Sequence, residues 1–172
     1  PGGFEALVVV DSLGPARNWG YRHLAVNSNG DIYVKQMGAL TPGNIGLRDT
    51  NGDGKADSLV YFGDYGVETN YGATEMTIYK NYLYFSTAGT VYRNKLTPGK
   101  LIPESKTEII LSHDYKNDIH GWEHTAKPLT FDDSGNMYVP FGAPGDVCAT
   151  KNRIPGYPGQ DPCPQLQEHA GI

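Results

Sequence analysis

Four Asp and Asn side chains stand close together in one short segment, Asp49-Thr50-Asn51-Gly52-Asp53-Gly54-Lys55-Ala56-Asp57. Asp49, Asn51, Asp53 and Asp57 fall at loop positions 1, 3, 5 and 9, with glycine at 6, a spacing that wraps a hard cation such as calcium. A full loop of that kind carries glutamate at position 12, where this chain has Val60, so the bidentate ligand is missing. The plainer reading is a turn whose Asp and Asn side chains cap their own backbone. A second group is His120-Gly121-Trp122-Glu123-His124-Thr125-Ala126-Lys127. His124 lies just before an apolar alternating stretch. An imidazole there is suited to take a proton from a hydroxyl near neutral pH. On spacing alone it reads equally as a strand-end histidine making one hydrogen bond. Arg22 and His23 hold the equivalent place earlier in the chain, where an arginine can pair with a carboxylate. Tyr71, Tyr115 and Trp122 offer stacking faces, though most such rings are core. His113 and His120 are isolated. No phosphate-binding glycine loop, nucleophile elbow or histidine-rich zinc motif is present.

The elements that must position these residues are hairpins. Residues 23–34, 75–85 and 128–139 each read as a strand, a turn of Asn, Asp, Ser or Gly type, and a second strand rich in β-branched and aromatic residues. Tyr33, Tyr84 and Tyr138 mark the repeat at spacings of 51 and 54 residues. That period fits a four-stranded blade of roughly 40–50 residues. Ile45-Gly46-Leu47-Arg48 and Ser58-Leu59-Val60-Tyr61-Phe62 supply the outer strands of one blade. Thr90-Val91-Tyr92-Arg93 and Glu108-Ile109-Ile110-Leu111 supply those of the next. The fold class is therefore all-β, a β-propeller with about three blades of six. Blade 1 spans about 4–63, blade 2 about 64–113, and an incomplete blade 3 about 114–172. Phe4 to Val10 is expected to form a further strand, and no helix is needed.

Composition supports this. Of 172 residues, 22 are glycine, 12 proline and 12 tyrosine, a mixture suited to short strands and many turns. The net charge of -5 with no basic run argues against nucleic acid or an anionic membrane surface as partner. No apolar run approaches the ~20 residues of a membrane-spanning helix. Cys148 and Cys163 enclose a proline-rich loop. In a secreted protein they form a disulfide; in a reducing compartment they are two thiols. Three blades leave open sheet faces, so the remaining blades belong to another chain, a missing segment or a symmetric second copy. The abrupt start at Pro1 and end at Ile172 lead to the expectation of a piece of a longer chain.

These motifs, in this order, resemble the glucose/sorbosone dehydrogenase family. Residues 23–34 are similar to its first blade, 47–57 (LRDTNGDGKAD) to an outer loop of its sorbosone-dehydrogenase-like members, and 124–142 (HTAKPLTFDDSGNMYVPFG) to the stretch carrying its catalytic histidine, which precedes a leucine by five residues as His124 precedes Leu129. The tail from Gly142 through Cys148 to Gly171 is similar to members of Bacteroidetes type. The resemblance implies a six-bladed propeller with pyrroloquinoline quinone over its channel, calcium holding the quinone, and His124 as the base. It implies oxidation of a sugar hydroxyl or aldehyde, with electrons passed to a cytochrome or other acceptor, in a secreted, periplasmic or cell-surface protein. It makes Arg22 a weaker candidate for the cofactor pocket. In glucose-oxidising relatives an aspartate follows the glycine matching Gly142 and orients the histidine; here Ala143 follows, and Asp146 stands three residues later. The residues that grip the quinone lie in later blades of the family. The alternative is a non-catalytic propeller serving as a binding or scaffold module at the cell surface.

Overall fold

The fold is seen in a computed structural model that describes residues 2–13, 20–36, 43–63, 75–113, 124–143, 145–167, 169 and 171. Among the described residues, two four-stranded antiparallel sheets and one short hairpin make up the strand content. The first sheet runs in chain order through β1 (Tyr21–Val26), β2 (Ile32–Gln36), β3 (Asn44–Arg48) and β4 (Ser58–Phe62). The second repeats this with β5 (Met76–Tyr79), β6 (Tyr82–Ser86), β7 (Thr90–Lys95) and β8 (Glu108–Ser112). The hairpin pairs β9 (Thr130–Phe131) with β10 (Met137–Tyr138). Among the described residues the one helical piece is a short 3-10 turn at Pro164–Gln167.

Local chemistry sets the turns. Lys80 and Asn81 both take positive φ, 46° and 64°, the two-residue hairpin turn whose twist matches its strands. Between β1 and β2, Gly30 supplies φ +91° and donates its N–H to the Asn27 carbonyl. Between β9 and β10, Asp132 accepts from the Asn136 N–H and amide.

The inner edge strands β1 and β5 lie side by side, as in neighbouring wedges. Tyr33, Leu83, Phe85 and Met76 fill the space between the first two sheets, joined by Tyr92 and Phe62. Tyr84, Val91, Leu129 and Val139 fill the space between the second sheet and the third hairpin. There Tyr79 stacks on Phe131 at 4.1 Å, and Glu75 accepts the Leu129 N–H. Two marker tyrosines, Tyr33 and Tyr84, are thus core. Tyr138 is exposed, with its hydroxyl donating to Asp132.

The expected strand at Phe4–Val10 is a correction. The segment is irregular and pairs with no strand among the described residues; Phe4, Leu7 and Val8 are exposed. Instead the Val9 carbonyl accepts the Ala56 N–H, and Val10 and Leu13 cover Val34, Ile45 and Leu47 on the outer face of the first sheet.

One buried ion pair also reaches across to the second sheet's connection. Buried Asp31 receives Arg48 Nε at 2.6 Å and Nη2 at 2.7 Å, while Arg48 Nη1 donates to Gly99 O in the loop between β7 and β8. Burial pushes the Asp31 carboxyl up, but the donors from Arg48 and Asn29 outweigh it and hold the carboxyl below its ordinary value. Such a pair stabilises above the unfolded carboxyl value, and its contribution is lost as pH falls through the lower folded value. Arg48→Met is expected to cost about 2–4 kcal/mol by stranding a buried carboxylate. Urea unfolding at neutral pH measures this, and the gap from the native protein should narrow below about pH 4, where the carboxyl protonates.

Candidate functional site

His124 sits at the entrance to the third hairpin with φ 54°, a left-handed backbone that costs a non-glycine residue of order 1 kcal/mol. Its ring Nδ1 lies 3.0 Å from Ala143 O. A carbonyl only accepts, so this bond places the ring proton on Nδ1 and leaves the lone pair on Nε2. Nε2 stands 3.3 Å from Asp146 Oδ1, and half of the His124 side chain is open to solvent. The other Asp146 oxygen, Oδ2, receives Arg153 through Nε and Nη2.

Gly142 makes this placement possible. A Cβ at position 142 would lie 2.3 Å from His124 O and 2.6 Å from His124 Cβ, so the two chain segments touch backbone to backbone. Where the resemblance puts an aspartate after this glycine, the ring's two nitrogens meet different groups here. The Ala143 carbonyl takes one ring nitrogen, and Asp146 reaches the other from three residues further on.

The loop carrying Arg153 is closed by a disulfide between Cys148 and Cys163. Ala149 and Gly159 bridge within it. Beside the site, Lys127 is buried with its Nζ over the Phe141 ring at 4.6 Å and donating to Thr125 O at 3.5 Å; burial pulls its pKa down. His113 meets the same ring edge-on at 5.4 Å and His169 at 5.5 Å.

Arg22 stands on β1 at an irregularity in its pairing with β2, between Tyr21 and His23, and its side chain is exposed. It has no acidic partner among the described residues. Burial, then the Arg22 charge, lower the pKa of neighbouring His23. Tyr71, Tyr115, His120 and Trp122 lie outside the described residues.

The Asp49–Asp57 loop is a separate place, joining β3 to β4 and packed on the N-terminal segment. Asp49 accepts N–H groups from Asn51, Gly52 and Gly54, and these bonds hold its carboxyl below the ordinary range, those from Gly54 and Gly52 most strongly. Asn51 accepts from the Asp53 N–H, Asp53 from the Lys55 N–H, and Asp57 from Thr50. The oxygens are turned to the loop's own donors. Among the described residues no group of three or more His, Cys, Asp or Glu side chains converges as around an ion. The residues present therefore do not fit a formed calcium cage.

His124 and Asp146 were visible as sequence candidates. Arg153 and Lys127 were not, because nothing local marks an exposed arginine in a proline-rich loop or a lysine just before a short strand as belonging to the same site.

No protein-family model matches the chain, and no curated protein matches it. Solved structures do. The holo form of the pyranose dehydrogenase PQQ domain from Coprinopsis cinerea is 13% identical over 74% of this chain and 29% of that chain, with a TM-score of 0.55. A calcium structure of a carbohydrate-active enzyme of family AA12 from Trichoderma reesei is 14% identical over 74% of this chain and 31% of that one, with a TM-score of 0.53; an iodide structure gives 0.52. The chain thus spans about 30% of the length of these structures. What is shared is the fold: all-β, of the β-propeller type found in PQQ sugar-dehydrogenase-like domains. Among the described residues no helix is long and apolar enough to cross a membrane.

Proposed function

We propose that this chain is the His124-bearing part of a quinone-dependent dehydrogenase that oxidises a hydroxyl or aldehyde of an aldose or sorbosone-like sugar. One observation carries the reading. On a fold shared with PQQ domains, an imidazole in a strained backbone has Nδ1 tied to a carbonyl and Nε2 half open beside a carboxylate.

The chemistry follows from those atoms. A sugar hydroxyl reaching the open edge of His124 donates its proton to Nε2. The imidazolium so formed carries a new Nε2–H with the Asp146 carboxylate 3.3 Å away, while Nδ1–H stays on Ala143 O. The Nδ1–H bond to Ala143 O orients the neutral ring before substrate arrives, and Asp146, which only accepts, becomes a partner of Nε2 once that nitrogen carries the proton. PQQ, when bound, supplies the hydride acceptor. This chain offers such a tricarboxylate the exposed guanidinium of Arg22. The remaining cations belong to further blades, for which exposed Leu24 and Val26 on β1 are a fitting apolar face. Those blades come from another segment or another chain, and the blade limits near 63 and 113 go with this reading. A cytochrome or similar acceptor takes the electrons onward. Calcium at Asp49, Asn51, Asp53 and Asp57 rests on their spacing alone, and no step is routed through it. The disulfide favours a secreted, periplasmic or cell-surface setting.

The test is to complete the propeller, load it with quinone and calcium, and follow dye reduction over a panel of aldoses. Sugar-dependent reduction is expected. A complete propeller that binds neither quinone nor any aldose would be a binding or scaffold module instead.

A further inference from the structure

Asp146 is exposed over more than a third of its side chain, and an exposed carboxylate on its own rotates freely toward water. Here one oxygen is taken. Arg153, seven residues further on, places its guanidinium on Asp146 Oδ2, which leaves Oδ1 facing His124 Nε2. The arginine does not arrive there by chance of the surface. The loop that bears it is closed by Cys148–Cys163, with Gln160 N–H donating to Cys148 O and Ala149 bridging Gly159. Its outgoing limb packs on the chain next to Asp146: Gly145 is buried, and a Cβ there would lie 2.8 Å from the Asn152 side chain. Arg153 itself has φ 58°, so the backbone is bent out of its ordinary region at both ends of the charge relay, at Arg153 and at His124.

We infer that Arg153 is a positioning residue for His124, acting through Asp146, and that the disulfide-closed loop 148–163 belongs to the functional site. Arg153 fixes Oδ2; the second oxygen then has one direction available, the imidazole edge. Cys148–Cys163 keeps the guanidinium in reach, so the loop's redox state and the orientation of His124 are coupled. An isolated surface pair contributes little. This one has a third member, and its value lies in where it holds a ring rather than in stability. The inference rests on His124 as the proton acceptor of the proposed dehydrogenase, and its test separates the two.

The experiment compares Arg153→Gln and Arg153→Lys with the native protein in the complete, quinone-loaded propeller. The first readout is the rate of diethyl pyrocarbonate acylation at His124, mapped by peptide mass. In the native protein Asp146, held by Arg153, covers part of the Nε2 edge and slows acylation there; in Arg153→Gln the carboxylate swings away and the rate rises several-fold. The second is aldose-dependent dye reduction, where Arg153→Gln lowers kcat about 10-fold with KM unchanged. Arg153→Lys, which keeps a cation on Asp146, recovers part of both. Reducing the disulfide in the native protein reproduces the Arg153→Gln acylation rate. If acylation and kcat in Arg153→Gln equal the native values, the inference falls. If acylation responds as described while no aldose is oxidised by any variant, Arg153 keeps its role and the dehydrogenase reading falls.

Discussion

Replacing His124 in the complete, quinone-loaded propeller is expected to lower kcat for aldose-dependent dye reduction by about 10²–10⁴-fold, the range of a lost general base. Two variants are needed because position 124 has φ 54°. Alanine is strained there, and a loss of activity in His124→Ala mixes lost chemistry with a shifted backbone. Asparagine tolerates the left-handed region, and its amide can donate to Ala143 O as Nδ1–H does, but it offers no nitrogen that accepts a proton near neutral pH. His124→Asn should therefore fold as the native protein does and lose as much activity as His124→Ala. The side chain is half exposed and joins no apolar cluster, so thermal unfolding should move little in either variant. Retention of a tenth or more of native kcat by His124→Asn would remove the histidine from the role of base.

The hairpins were legible because their signals are local. Lys80-Asn81 takes a turn of positive φ, Asn27 to Gly30 satisfies its own donors, and alternating strands between such turns pair with their neighbours in chain order. The run at Val8-Val9-Val10 carried the same β-branched signal and misled. A strand requires a partner edge as well as propensity, and this segment finds only the Ala56 N–H and an apolar surface to cover. The Asp49–Asp57 motif was legible as a loop but not as a ligand set. The spacing that brings oxygens round an ion also brings them onto the loop's own amides, where they lie here. His124 stood out by resemblance to a family stretch, whereas its partners are set by tertiary contacts. Asp146 reaches it because Gly142 lies against the histidine backbone, and Arg153 reaches Asp146 across seven residues from a loop closed by Cys148 and Cys163. No periodicity encodes either approach.

Gly142 is where that dependence is sharpest. Its φ is unremarkable, so alanine fits the local backbone, yet the added Cβ would lie 2.3 Å from His124 O and 3.2 Å from His124 C. These are main-chain atoms with no rotamer in which to retreat. Either residue 142 moves, carrying the Ala143 carbonyl away from Nδ1, or residue 124 moves, carrying Nε2 away from Asp146; the ring loses one of its two fixed points in both cases. A displacement of about 1 Å at a reacting group costs about 10²-fold in rate, so Gly142→Ala is expected to lower kcat by about that factor. The loss should appear without unfolding. The clash is confined to a segment outside β1–β8, and the buried cores on either side of the second sheet do not contain Gly142. Far-ultraviolet circular dichroism should therefore match the native protein while His124 becomes more reactive toward acylation. Full activity in a folded Gly142→Ala variant would mean that the close backbone approach at 142 does not place the histidine, and the geometric argument for His124 would lose its support.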